Sequence, residues 1–242
     1  MGIKYPFEKV MMAEIHPATT EEIRRRLLEG RLQEDDERRH ALQALYLLGA
    51  RVSEVCGKRT PSHRTGHYPL LKSAVEIGNI QVRGVGPVRV MLFTLRTLKR
   101  QGLPRKIALP ADYDPLAREV YRYISQREGE ILFPWNRFEL HDAAKELFQG
   151  LGYVVYTYTV QRGGELKRVP THLKSYCLHS LRHQRATELV EKFGFDAFDL
   201  SVYFGWTLKG LGLSSASRYL HLDWRKYFPK LLRPFVATSQ GH

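Results

Sequence analysis

Between residues 74 and 110 the chain abandons helical spacing. "AVEIGNIQVRG", "VRVMLFTLRTL" and "RKIALP" are short runs rich in β-branched residues and broken by glycine and proline, and they read as three strands. The links between them are too short to hold a crossover helix, so neighbouring strands can pair only antiparallel. The second link, "KRQGLPR", reads as a basic hairpin turn. Most of the chain around this sheet is helical in pattern. The fold class that follows is α+β, mainly α, with a small antiparallel three-stranded sheet.

The helices announce themselves by caps and periods. In "PATTEEIRRRLLEG" Thr19 and Glu22 have capping-box spacing and Gly30 suits a stop. "DERRHALQALYLLGA" repeats apolar residues through Ala41, Leu45 and Leu48 and predicts a core helix ending near Gly49. "RVSEVCG" starts another short helix. After the strands, "DPLAREVYRYISQRE" and "RFELHDAAKELFQGLG" return to helical spacing, and "YVVYTYTVQRGGELKRVP" reads as an exposed hairpin around Gly163 and Gly164. Three helices follow, near 180–193, 196–204 and 214–224, and then a basic-aromatic tail over 223–242. No repeat or low-complexity linker divides the 242 residues, so a single domain is expected.

Lysine and arginine number 38 against 25 acids, a formal charge of +13. Such a field favours a polyanionic partner. No apolar run approaches the length of a bilayer span, so nucleic acid is favoured over a membrane. Cys56 and Cys177 cannot make a disulfide framework and are expected to be small buried side chains. His63 with His67, and His179 with His183, have the spacing of metal-binding pairs. Neither pair is accompanied by a cysteine or carboxylate cluster, so no metal and no cofactor is expected.

Four places could serve phosphate chemistry. Arg51 falls at the junction of two helices, Arg182 in the first turn of its own helix, Lys99 in the basic turn, and Tyr219 in "SASRYLH". In order, "GARVSEV", the hairpin lysine, "HSLRH", "FGW" and "SRYLH" resemble the signature of the tyrosine recombinase, or phage-type integrase, family over roughly residues 18–228. The resemblance implies a tyrosine recombinase-like catalytic domain. It implies Tyr219 as the nucleophile on a DNA phosphodiester, leaving a 3′-phosphotyrosine and a free 5′-hydroxyl. Arg51 and Arg182 would hold the non-bridging oxygens, His179 and Trp206 would complete the pocket, Lys99 would protonate the leaving oxygen, and Glu54 would support the pocket. His183 and His221 would be structural. Implied partners are double-stranded DNA bearing an attachment or recombination site and further copies of the chain, a tetramer in the synapse. The implied place is the cytoplasm of a prokaryotic or viral host cell, associated with the nucleoid.

The chemistry suits these residue types. A phosphodiester nearing a pentacoordinate state gains charge on its non-bridging oxygens, which two permanently charged guanidiniums can stabilise. A tyrosine hydroxyl must lose its proton, and His179 titrates in the right range. An alkoxide leaves poorly without a donor such as an ammonium group.

The pattern departs from the family in several ways. Ala50 precedes the first arginine where a bulkier residue is usual, and Trp206 stands where histidine is commoner. "TLKGLGLSS" lengthens the path from Trp206 to Tyr219. Arg100, Arg105 and Lys106 share the hairpin and remain alternatives to Lys99. The family's usual N-terminal helical domain has no counterpart here, so the chain is expected to be either a fragment of a longer integrase, which is favoured, or a naturally minimal protein. Trp224, Tyr227, Phe228, Leu231 and Leu232 give the tail more apolar surface than a solvated segment carries. It must fold back in cis or, as the family commonly does on DNA, pack on a neighbouring subunit. Two other functions stay open: a type IB topoisomerase, and a DNA-binding protein that keeps the fold without cleavage.

Overall fold

A computed structural model describes residues 16–56, 69–96, 104–160, 166–206 and 223–239. The first half runs β1 (His16–Pro17), α1 (Thr20–Glu29), α2 (Arg38–Leu47), α3 (Val52–Val55), β2 (Val75–Val82), β3 (Gly86–Arg96), β4 (Pro104–Pro110) and α4 (Pro115–Gln126). The second half runs α5 (Arg137–Leu147), β5 (Leu151–Val160), β6 (Leu166–Ser175), α6 (Leu178–Glu191) and α7 (Ala197–Phe204). It closes with α8 (Trp224–Tyr227), a 3-10 turn (Phe228–Leu232) and α9 (Arg233–Ser239). The described part is mainly helical, with the expected antiparallel sheet in the order β2-β3-β4.

Residues 41–50 are all buried, so α2 and the turn after it form the axis of the core. α1, α4, α5 and α6 pack around α2. A buried helix end leaves carbonyls without partners, and this chain answers repeatedly with side chains from neighbouring elements. Arg39 donates to Leu27 O and Leu28 O, and Gln43 to Leu27 O, at the end of α1. Arg26 donates to Leu147 O and Gln149 O at the end of α5. Cations suit such ends because the helix dipole is negative there.

Several expectations change in detail. Thr19 caps α1 by accepting the Glu22 N–H at 3.1 Å. The reciprocal half of the capping box is replaced, because the Glu22 carboxylate binds Arg25 and Arg26 instead. Gly30 ends α1 in extended backbone, and a Cβ there would stand 2.4 Å from Leu147 Cδ1. α6 starts two residues before Ser180, whose hydroxyl reaches back to accept the Cys177 N–H at 3.2 Å. β5 and β6, expected as an exposed hairpin, belong to a second three-stranded sheet, because β1 pairs parallel with the base of β5. A two-residue strand leaves too little pattern to be foreseen. The helix expected near 214–224 falls largely on residues outside the described ones.

The tail folds back in cis. Trp224, Tyr227, Phe228, Leu231 and Leu232 are all buried against the chain's own body. The Tyr227 ring packs 5.3 Å from that of Tyr203 on α7, and its hydroxyl accepts the Ala108 N–H of β4. Among the described residues no helix is long and apolar enough to cross a membrane.

Candidate active site

Arg51 is the N-cap of α3, just after the buried turn that ends α2. Its backbone N–H donates to Glu54 Oε2 at 2.9 Å and its Nη1 to Glu54 Oε1 at 3.1 Å. Glu54 is 2% exposed, so R-x-S-E is a local clamp in which a buried carboxylate steadies a partly exposed arginine. Glu54 Oε2 also accepts Arg105 Nη2 at 2.9 Å, and Arg105 Nη1 donates to Tyr203 O near the end of α7.

Arg182 enters the same region from the second turn of α6, not the first as expected, because the helix starts at Leu178, and it is 4% exposed. Its guanidinium donates to Gly49 O, just past α2, and to Phe204 O at 3.0 Å, the last residue of α7. Two helix C-termini thus aim their free carbonyls at one cation. The Phe204 ring lies 4.7 Å beneath the guanidinium, and Trp206, 41% exposed, stacks on Phe204 with centroids 4.8 Å apart. Gly49 makes this packing possible: its φ is +50°, and a Cβ would come within 2.3 Å of Phe204 Cε1.

The electrostatics favour an anion. Arg51, Arg105 and Arg182 bring three positive charges to one negative charge on Glu54. Burial, and then the nearby Arg105 and Arg51, push the Arg182 guanidinium down to about 9. A cation whose charged form is disfavoured by its surroundings gains from an added anion.

Arg51 and His179 line one cavity of about 620 Å³, together with Arg137, Phe138, His141 and Lys145 of α5. His179 is exposed, and the His183 ring meets it edge-on at 4.5 Å. Among the described residues no three His, Cys, Asp or Glu side chains gather to hold a metal; His63 and His67 lie outside the described residues. Cys56 is buried but Cys177 only half-buried, because it caps α6 at the cavity wall.

The structure therefore brings Arg51, Glu54 and Arg182 into one cluster, with Trp206 at its edge through Phe204 and His179 on the adjoining cavity. Lys99, Arg100, Tyr219 and His221 lie outside the described residues. Of the alternatives to Lys99, Arg105 is buried with its guanidinium engaged, and Lys106 points to solvent, 3.5 Å from Glu76. Arg105, weighed only as an alternative to Lys99, and Phe204, the first residue of the FGW motif, were not foreseen in these roles. The two-residue period of a strand, which sets Arg105 on the same face of β4 as Ile107 and Leu109, is the signal that could have placed the first.

A second ionic cluster lies deeper in the same helix. Arg185, 1% exposed and one turn beyond Arg182, pairs with Glu188 at 2.5 Å. Glu188 also accepts Tyr46 OH at 2.8 Å and Arg24 Nη1 at 3.0 Å, and Arg24 goes on to Asp114, the N-cap of α4. This network ties α1, α2 and α4 to α6 and fixes the helix that carries Arg182.

No protein-family model matches the chain, and no curated protein is significantly similar to it. Among solved structures it is similar to the Tn1549 transposon integrase. Against that integrase in complex with transposon right end DNA, identity is 18% and the TM-score 0.45, covering 90% of this chain and 65% of that one. Against two complexes with circular intermediate DNA, identities are 18% and 17% and TM-scores 0.46 and 0.44. These cover 86% and 82% of this chain, and 66% and 60% of the integrase. The chain spans less than two thirds of the length of the integrase chains it resembles.

Proposed function

We propose that the chain cleaves and rejoins DNA as a site-specific recombinase or integrase, through a 3′-phosphotyrosine intermediate. Arg51 and Arg182 hold the non-bridging oxygens of the scissile phosphodiester. His179 takes the proton of the attacking tyrosine, and Trp206 donates its indole N–H at the rim. Tyr219 attacks phosphorus, and Lys99 protonates the departing 5′-oxygen. The phosphotyrosine conserves the bond energy, so a 5′-hydroxyl reseals the strand without metal or nucleotide.

The observation that carries this reading is the gathering of three arginines from three separate elements: Arg51 and Arg105 share the buried Glu54 carboxylate, and Arg182 is held in the same cluster by two helix-end carbonyls. A site with that charge and that much preorganisation suits an oxyanion whose charge grows during reaction. The motif order and the basic lining of the adjoining cavity support a polyanion rather than a small phosphate ester. Tyr203 and Tyr227, the other tyrosines near the motif, are fully buried and burial raises both hydroxyls, which leaves Tyr219 as the nucleophile in this reading.

The test is incubation with nicked duplex DNA bearing a candidate attachment site, followed by a denaturing gel. Wild type is expected to form a covalent adduct. Tyr219→Phe is expected to lose it while keeping its DNA affinity, since only the nucleophilic oxygen is removed. Tight binding without adduct in the wild type would instead make the chain a DNA-binding protein. Relaxation of supercoils without site preference would make it a topoisomerase.

A further inference from the structure

Arg105 entered the sequence reading only as an alternative proton donor at the end of the basic hairpin, yet it touches both halves of the arginine cluster. One arm reaches Glu54, which steadies Arg51; the other reaches Tyr203 O, next to the Phe204 carbonyl that holds Arg182. It is 7% exposed, and among the described residues its Nε has no partner, so it is a buried cation committed to one carboxylate and one helix end. Without it, Glu54 would have a single guanidinium to neutralise, that of Arg51, through both carboxylate oxygens.

We propose that Arg105 is a positioning residue for anion recognition. It shares the charge of Glu54, leaving Arg51 free to bind an oxyanion, and it fixes the end of α7 so that Arg182 is presented beside it. A guanidinium suits the task because its planar fork serves two acceptors at once. The inference rests on the phosphate-clamp reading above and adds a residue that does not itself touch the phosphate.

The test reads oxyanion binding apart from DNA cleavage, by calorimetric titration with sodium tungstate at a temperature where every variant is folded by circular dichroism. Arg105→Met should weaken tungstate binding roughly ten- to a hundredfold, the scale of a lost charge-assisted hydrogen bond. Adding Glu54→Gln to Arg105→Met should recover most of that loss, because the carboxylate no longer competes for Arg51. Arg105→Lys, which keeps the charge but not the fork, should fall between wild type and Arg105→Met and serves if the methionine variant does not fold. Wild-type affinity in Arg105→Met, no recovery in the double variant, or Arg105→Lys as weak as Arg105→Met would overturn the proposal. Arg51→Met and Arg182→Met run alongside. If they bind tungstate normally, the clamp reading falls and this inference with it; if they fail and Arg105→Met does not, only this inference falls.

Discussion

Replacing Gly49 by alanine tests the packing on which the arginine cluster stands. The added Cβ would lie 2.3 Å from Phe204 Cε1 and 3.0 Å from both Cδ1 and Cζ. That ring cannot simply swing aside, because it carries the Arg182 guanidinium at 4.7 Å and stacks on Trp206 at 4.8 Å. Two costs add. An alanine at φ +50° loses about 1–2 kcal/mol for left-handed backbone, and overpacking a filled core costs about 1–3 kcal/mol more. The sum, roughly 2–5 kcal/mol, lowers Tm by roughly 4–20 °C in a domain of this size. Gly84→Ala separates the two costs. Gly84 has φ +78°, and among the described residues nothing lies within 4 Å of the place its methyl would take, so it should lose only the backbone share. Thermal melts by circular dichroism measure both. Phe204→Leu should partly rescue Gly49→Ala and not Gly84→Ala, because Phe204 and Gly49 share a contact. Equal melting temperatures for Gly49→Ala and Gly84→Ala would refute the reasoning: the Phe204 ring would then be free to move, and Arg182 would not be held by it.

Removing one member of the buried Arg185–Glu188 pair, by Arg185→Met or Glu188→Gln, should cost about 3–5 kcal/mol in urea unfolding, with the double variant far from additive. Additive losses would mean that the two side chains do not act as a pair. Because Arg182 sits near 9 rather than at the usual arginine value, its folded form gives up its proton first as pH rises. Oxyanion affinity should therefore fall as pH passes about 9, while the penalty for burying the charge is relieved and stability relative to Arg182→Met rises from there upward. An affinity that stays flat well above that point would contradict this. Tyr203→Phe should cost about 1 kcal/mol for its hydrogen bond to Leu47 O, with the covalent DNA adduct intact. Loss of the adduct on folded Tyr203→Phe would move the nucleophile.

Local chemistry wrote most of the elements into the sequence. Thr19, Asn136 and Asp196 cap their helices with their own side chains, and the runs over 75–110 are rich in β-branched residues and broken by glycine and proline. These depend on neighbours a few residues away, and so they can be read without a fold. The motif residues were legible for the same reason: Arg51 and Glu54 find each other within one turn. The stretch "LHSLRHQR" shows where such reading ends. All its charges look alike in sequence, but His179 and His183 stay at the surface while Arg182 and Arg185 go inside. A buried arginine breaks the apolar period of its helix and counts as a solvated position. Only its distant partners, Gly49 O and Phe204 O for one and Glu188 with its own companions for the other, make burial tolerable. The burial of Arg105, a candidate by sequence only as an alternative to Lys99, was hidden in the same way. The apolar residues at 224–232 demanded burial from the start. That the chain's own β4 and α7 supply it was decided by tertiary packing, because hydrophobic burial is non-directional and does not name the surface that receives it.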